Sequence, residues 1–252
     1  MTSLAVGPAP DVALARINPV TQLAAILVVT VVLLSSLDLV TPSIVVAAEL
    51  CLLPAAGLTS PRAVWSRTWP LLTSAASVGV VNVLLSDDAP PLAGAALALR
   101  VVGLALPGVL LVASTDPVLL ADALTVHWRV PPRFAYGALA ALRLVPLLVV
   151  EFESVRLARR TRGVEGGSNP VAQARLFAGT GFALLVGAVR RGSRLATAMD
   201  ARGFDSGVPR TNARGSSLHA RDAVFLAGTV LVCGVAVTAS ISTGAWQPLF
   251  GG

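Results

Sequence analysis

Two stretches of the chain end in the same pair of residues, an arginine followed by a glycine: Thr161-Arg162-Gly163 and Ala201-Arg202-Gly203. A guanidinium carries a permanent charge and presents its N–H donors as a planar fork, which matches the carboxylates and carbonyls of a partner. Glycine after the last turn ends a helix, and arginine there suits the negative end of the helix dipole. The pattern therefore predicts two capped helix ends, each presenting an exposed arginine for recognition.

Other residues that commonly carry chemistry are few and isolated. Cys51 and Cys233 each lie inside an apolar run, without the spacing of metal ligands. His127 and His219 are equally isolated. The sequence contains neither a phosphate-binding loop nor a nucleophile paired with a base. We therefore expect no enzyme activity, no metal site and no cofactor in this chain.

The composition is that of a membrane protein. Of the 252 residues, 55% are apolar and 13% are charged, and the mean hydropathy is +0.78; soluble domains have about 25% charged residues. All 19 basic residues are arginines, and 15 of them lie between Arg129 and Arg221. Five acidic residues lie in the same segment, so its net charge is +10, against +6 for the whole chain. One segment is therefore strongly basic and the rest is slightly acidic.

Five segments are long and apolar enough to cross about 30 Å of hydrocarbon. These predicted spans lie near 20–37, 40–57, 69–86, 92–114 and 222–243. Asn18 and Pro19 form a helix-start signal before the first span. Glu49 and Arg100 are charged residues inside predicted spans. We expect Glu49 to face protein rather than lipid, and Arg100 either to snorkel toward the interface or to pair within the bundle.

The arginines predict the orientation, because cytoplasmic loops carry the excess of positive charge. Arg16 precedes the first span, Arg62 and Arg67 separate the second and third, and the basic segment follows the fourth. All basic loops fall on one side if the N-terminus is cytoplasmic. The sequence thus predicts a multi-pass protein of the cell membrane with a cytoplasmic N-terminus.

Two further apolar stretches, 135–150 and 176–189, are short for spans and have arginines at both ends. They are predicted to belong to two long cytoplasmic helices, 132–162 and 170–202, which follow a short helix at 117–127. A topology of seven spans is the alternative, with both stretches crossing the membrane.

The predicted fold class is an all-α integral membrane protein with about five spans and a cytoplasmic domain of two long helices and one short helix. The predicted division is 1–115 for the first four spans, 116–220 for the cytoplasmic helices and 221–252 for the last span.

Several segments resemble a known family. They read INPVTQL before the first span, TDPVLLADALTVHWRVPP around the short helix, RLVPLLVVEFESVRLARRTRG in the first long helix, and RLATAMDARGF followed by PRT after the second. Together they resemble the transmembrane (T) component of energy-coupling factor (ECF) transporters, the vitamin and cobalt/nickel importers of prokaryotes. The second ending matches the family's Ala-Arg-Gly motif, whereas the first has Thr161 in place of alanine.

The resemblance implies that the long helices are coupling helices that cross in an X on the cytoplasmic side. It implies two ABC-type ATPase subunits as partners, each with a groove for one arginine, and a substrate-binding integral membrane subunit on the other face. The implied ATPase-docking residues are Thr161, Arg162, Gly163, Ala201, Arg202 and Gly203. ATP hydrolysis is then expected in the partners, and the chain itself does no covalent chemistry.

Two alternatives remain beside this interpretation. Glu49 and Arg100 inside spans would suit a self-contained secondary transporter or channel, although no matched repeat halves are visible in the sequence. The basic segment would suit a nucleic-acid binder. It has few aromatic residues for stacking, and a positive cytoplasmic face is expected of any membrane protein, so no nucleic-acid partner is predicted.

Overall fold

The computed structural model describes residues 12–85, 91–164, 169–204 and 215–246. Within these ranges the chain is helical and contains no β-strand, so the predicted all-α class is confirmed. The α-helices are α1 (Pro19–Ser35), α2 (Val40–Leu52), α3 (Pro61–Leu85), α4 (Pro91–Ser114), α5 (Pro117–His127), α6 (Pro132–Thr161), α7 (Pro170–Ala201) and α8 (Ala220–Ser242). Two 3₁₀ turns, Ala13–Arg16 and Pro54–Ala56, precede α1 and follow α2.

The described residues form two compact units. Helices α1 to α5 and α8 make one unit, called the bundle below, and α6 with α7 makes the other, called the helix pair. The short helix α5 belongs to the bundle by its contacts, and it packs against α1.

Local signals explain where the helices begin. Six of the eight α-helices start at a proline, which fits the first helical position because its missing N–H would have no partner there. Asn18, Asp116 and Asn169 cap three of these starts, with side-chain oxygens that accept the N–H of Val20, Val118 and Val171 at 3.0, 2.7 and 3.0 Å. The predicted starts at Pro19, Pro117, Pro132 and Pro170 are confirmed.

Five of the described helices are long and apolar enough to cross a membrane: Val64–Leu85 within α3, Leu92–Ser114 within α4, and the whole of α6, α7 and α8. The number of helices that could span the membrane agrees with the prediction, but they are not the same five segments. Helices α6 and α7, predicted to be cytoplasmic, meet the criteria of length and composition, whereas α1 and α2 fall short at 17 and 13 residues. The cytoplasmic placement of the helix pair therefore stays a prediction.

The boundaries of the second and third predicted spans need correction. Helix α2 ends at Leu52 instead of continuing to residue 57, because Pro54 has no N–H to donate and the chain turns into a 3₁₀ segment there. At 13 residues, α2 is about 20 Å long. Helix α3 starts at Pro61, eight residues before the predicted start at 69, and continues through Pro70. Arg62 and Arg67 thus lie in its exposed first turns.

Glu49 faces protein, as predicted, and Arg100 makes contacts within the bundle, which is one of the two outcomes predicted for it. Only 5% of the Glu49 surface is exposed. The Arg100 side chain on α4 reaches the end of α1, where its Nε donates to the carbonyl of Leu33 at 2.6 Å and a terminal nitrogen donates to the carbonyls of Leu33 and Ser36. Because the last carbonyls of a helix have no partner within it, Arg100 acts as a cap supplied by a neighbouring helix.

A buried carboxylate connects the starts of α1 and α8. Asp222 is 3% exposed, and its two oxygens accept the backbone N–H groups of Asn18 at 2.6 Å and His219 at 2.7 Å. Hydrogen bonds to a charged acceptor are stronger than neutral ones. This contact joins segments that lie 204 residues apart in the chain.

We expect Asp222→Ala to lower the free energy of unfolding by about 3 kcal/mol, because two N–H groups lose their acceptor at a buried site. The apparent melting temperature of the purified chain in detergent should fall accordingly. Thr238→Ala is the matched control on the same helix, since the Thr238 hydroxyl is exposed and donates to carbonyls of its own preceding turn. Equal melting temperatures for the two variants would contradict this role of Asp222.

Candidate functional site

The two Arg-Gly endings close their helices with the same hydrogen-bonding pattern. At the end of α6, Gly163 N–H donates to the carbonyl of Arg160 at 3.0 Å and Val164 N–H to that of Arg159 at 3.0 Å. At the end of α7, the N–H groups of Gly203 and Phe204 donate in the same way to the carbonyls of Asp200 at 2.9 Å and Met199 at 3.0 Å. These are the paired bonds of the Schellman motif. The predicted helix caps are confirmed at both ends.

Glycine is required at both positions by the backbone. Gly163 has φ +70° and Gly203 has φ +71°, in the left-handed region that other residues enter only at a cost. The preceding arginines also match in conformation: Arg162 has φ −91° and ψ 8°, and Arg202 has φ −88° and ψ 8°. The two ends therefore present their arginines from the same local backbone.

Both arginines are exposed, and neither guanidinium makes a hydrogen bond or ion pair with a described residue. Thr161, which replaces the alanine of the other ending, turns its hydroxyl back to the carbonyl of Ala158 at 3.0 Å. Its polar group is thus satisfied inside its own helix. The backbone cap after Thr161 equals the cap after Ala201, so the substitution leaves the shape of the helix end intact.

Helices α6 and α7 pack antiparallel. Near the start of α6, the ring of Tyr136 lies edge-on to Phe204 at 6.2 Å between centroids. Toward the end of α6, Phe152 contacts Phe177 at 5.7 Å. Contacts thus occur near both ends of α6. The end of each helix lies beside the start of the other, and since α6 has 30 residues, the two arginine-bearing ends are separated by about 45 Å.

Two polar contacts hold the pair together. Glu151 on α6 forms an ion pair with Arg191 on α7 at 2.9 Å. Arg159 donates to the carbonyl of Leu176 at 3.0 Å and to the hydroxyl of Thr180 at 2.8 Å, and Thr180 is 4% exposed. In the sequence, Arg159 is one of several arginines near the end of α6, and no local pattern indicates that it has a partner on another helix.

A spacing of three residues would suit an ion pair from Glu153 to Arg156 within α6, but none is found among the described residues. The acid that does pair across the helices is Glu151. Near this end of α6, three arginines and the start of α7 line an open crevice of about 750 Å³. The arginines in question are Arg156, Arg159 and Arg160.

Much of the apolar surface of the helix pair is uncovered. Phe134, Phe177 and Phe182 are 61%, 67% and 68% exposed, and many aliphatic residues of both helices are also exposed. Apolar surface on this scale in a soluble monomer marks an interaction site. The exposed apolar surface of the helix pair must therefore be covered by lipid, by a protein partner or by both.

No group of three or more His, Cys, Asp or Glu residues in the described ranges could hold a metal ion. The candidate functional site is the pair of exposed, arginine-bearing helix ends. Fold and site define an all-helical, multi-pass membrane protein that presents two like, arginine-bearing helix ends.

The chain matches the family described as "Cobalt transport protein" (CbiQ) over residues 12–212, which include both Arg-Gly endings. It belongs to this family. The resemblance to the transmembrane component of energy-coupling factor transporters is thereby confirmed.

Curated relatives carry the name "Energy-coupling factor transporter transmembrane protein EcfT". The chain is 30% identical over 148 residues to the protein of Staphylococcus aureus, a match that covers 54% of this chain and 53% of the relative. It is 34% identical over 150 residues to that of Lacticaseibacillus paracasei, which covers 56% and 57%. For Limosilactobacillus fermentum the identity is 33% over 141 residues, and 53% of each chain is covered. The chain thus matches about half the length of these relatives.

Proposed function

We propose that this chain is the coupling subunit of an ATP-driven ECF-type importer. In this proposal it connects two ABC-type ATPase subunits to a substrate-binding membrane subunit, and it hydrolyses no ATP itself. The transported micronutrient, a vitamin or cobalt or nickel, is selected by the substrate-binding subunit.

One observation carries the proposal: two helix ends of the same local geometry lie at opposite ends of an antiparallel pair. A single partner groove would need one such end. Two ends about 45 Å apart suit two copies, or two related subunits, of one kind of partner. Because the Arg162 and Arg202 side chains make no described hydrogen bonds within the chain, their donors are available to a partner. The flanking Thr161, Gly163, Ala201 and Gly203 would set the shape of each end.

The ion pair and the Arg159 contacts support a mechanical role. Motion of an ATPase at one helix end reaches the other helix only if the two helices move together. Glu151 with Arg191, and Arg159 with Thr180, connect α6 to α7 through side chains at two separate levels. The exposed apolar surface of the same helices would seat the substrate-binding subunit.

The orientation belongs to the same proposal. We place the N-terminus and the helix pair in the cytoplasm, with the functional division 1–115, 116–220 and 221–252. Trp65 and Trp69 contact each other with tilted rings at 5.1 Å between centroids and are both about half exposed, next to the exposed Arg62 and Arg67. Tryptophan beside arginine is typical of the membrane–water interface, which fits a cytoplasmic start of α3.

Purification of the tagged chain from its own membranes in mild detergent tests the proposal, with mass spectrometry of the bound proteins. We expect two ABC-type ATPase subunits and a small apolar membrane protein. Recovery of a folded chain without any ATPase would contradict the coupling function. Substrate flux into liposomes that contain this chain alone would instead favour a self-contained transporter.

A further inference from the structure

The bundle contains a cavity that the coupling proposal does not use. It lies between α1, α2, α4 and α8, and its volume is about 290 Å³. Most of its wall is aliphatic or aromatic, with residues such as Ala25, Val29, Val45, Leu110 and Phe225. The cavity is about twice as large as an apolar cavity of 150 Å³ that holds one benzene molecule. It therefore has room for a ring with a short side chain.

Glu49 from α2 is the acidic residue in the cavity wall. Its surface is 5% exposed, and neither carboxylate oxygen has a hydrogen-bond partner. Among the described residues that line the cavity there is no arginine. A buried carboxylate without a partner is costly, and a cation or a donor that pairs with it offsets part of that cost.

The Gln22 and Thr229 side chains in the wall already have hydrogen-bond partners, and Cys233 contributes only a weakly polar thiol. The Gln22 amide donates to the carbonyls of Leu14 at 2.9 Å and Ile17 at 3.2 Å, and its oxygen accepts hydroxyl groups from Ser114 and Thr115. The Thr229 hydroxyl donates to its own helix, to the carbonyl of Phe225 at 3.0 Å. Glu49 is thus the main residue in the wall whose hydrogen-bonding groups are left for a bound molecule.

We propose that this cavity is a binding site for a small apolar molecule that carries one protonated amine. The Glu49 carboxylate accepts the ammonium N–H groups, and the aliphatic wall covers the apolar body. Such an occupant matches the cavity in volume, in polarity and in charge. The site lies in the bundle, and the inference does not depend on the docking of an ATPase.

The test uses two probes of nearly equal size, 2-phenylethylamine and 2-phenylethanol. Each is titrated calorimetrically into the purified full chain in lipid nanodiscs at neutral pH, with empty nanodiscs as the blank for partition into lipid. We expect the amine to bind at least about tenfold more tightly than the alcohol, because a charge-assisted hydrogen bond is about twice as strong as a neutral one. In Glu49→Gln this preference should disappear, while the alcohol binds as before.

Two glycine variants on α8 keep the test decisive if Glu49→Gln fails to fold. Gly228 lines the cavity, and a Cβ placed there meets no atom within 4 Å, so Gly228→Leu adds apolar volume at the wall and retains Glu49. Gly234 has the same freedom but does not line the cavity. We expect Gly228→Leu to weaken binding of both probes about tenfold or more and Gly234→Leu to leave it unchanged.

Three results would overturn the proposal. They are equal binding of amine and alcohol to the unaltered chain, no binding of either probe, and an amine preference that persists in Glu49→Gln. In the first two cases Glu49 is neutralised by a proton alone and the cavity has no amine site.

Discussion

The double variant Arg162→Ala/Arg202→Ala is expected to lose its ATPase subunits when it is purified from its own membranes. Each guanidinium is exposed and projects from a helix end that is fixed by its glycine cap. In the proposed complex each would pair with carboxylates or carbonyls of a partner groove. Removal of one member of such a buried pair typically costs 2 kcal/mol or more, which corresponds to roughly thirtyfold in Kd.

The single variants measure how much each helix end contributes to ATPase capture. Each should weaken ATPase capture by about thirtyfold, and the double variant should abolish both capture and ATP-driven uptake. If the ends bind separate subunits about 45 Å apart, the two effects should be additive, because distant sites without shared partners do not couple.

Loss of capture must be separated from loss of folding. Neither guanidinium has a described partner in the chain, so the melting temperature of both single variants should equal that of the unaltered protein. Arg194→Ala is the matched control, since Arg194 is an exposed arginine on α7 two turns before Arg202. Undiminished capture by the double variant would contradict docking through these ends, and equal loss in Arg194→Ala would indicate a general effect of positive charge.

The side of the membrane on which the end of α6 lies can be determined by cysteine labelling. In a background of Cys51→Ala and Cys233→Ala, we expect Val164→Cys to react with a membrane-impermeant thiol reagent only from the cytoplasmic side. Val164 follows the cap of α6 and is 49% exposed, so a cysteine there is accessible. If α6 crossed the membrane, Val164 would lie on the outer side and the result would be inverted.

Labelling of Val164→Cys from the outer side would also have a physical basis, because α6 and α7 meet the length and hydropathy criteria for spans. Against it stand Arg156, Arg159, Arg160 and Arg162 at the end of α6, which a seven-span topology would place outside, contrary to the charge rule. The positions of the chain ends would not decide the question, since five and seven spans give the same ends. Residue 164 differs between the two topologies.

Leu37→Cys provides the matched control for this experiment. Leu37 lies between α1 and α2, is 43% exposed, and is predicted to be outside. It should react with the impermeant reagent from the outer side alone. Labelling of Val164→Cys from the outer side would overturn the cytoplasmic placement, and labelling of Leu37→Cys from the cytoplasmic side would overturn the orientation of the bundle.

Most helix boundaries of this protein could be predicted from local sequence signals. Proline with Asn18, Asp116 or Asn169 before it marks helix starts, and Gly163 and Gly203 mark helix ends. These signals act within one helical turn, so the residues near a boundary are sufficient to predict it. The apolar composition and the spacing of the Arg-Gly endings likewise identified the class of protein and the two candidate recognition residues. The end of α2 was predicted wrongly because hydropathy continued past Pro54, whose missing N–H ended the helix.

Contacts between side chains from distant segments depend on how the helices pack. Spacing within α6 would allow a pair from Glu153 to Arg156, but the acid that pairs is Glu151, with Arg191 forty residues away. The same holds for Arg100 at the carbonyls of α1 and for Asp222 at the start of α1. A helix brings only residues three or four positions apart onto one face. Contacts over larger separations depend on how helices pack, and that packing places the two arginine-bearing ends at opposite ends of one pair.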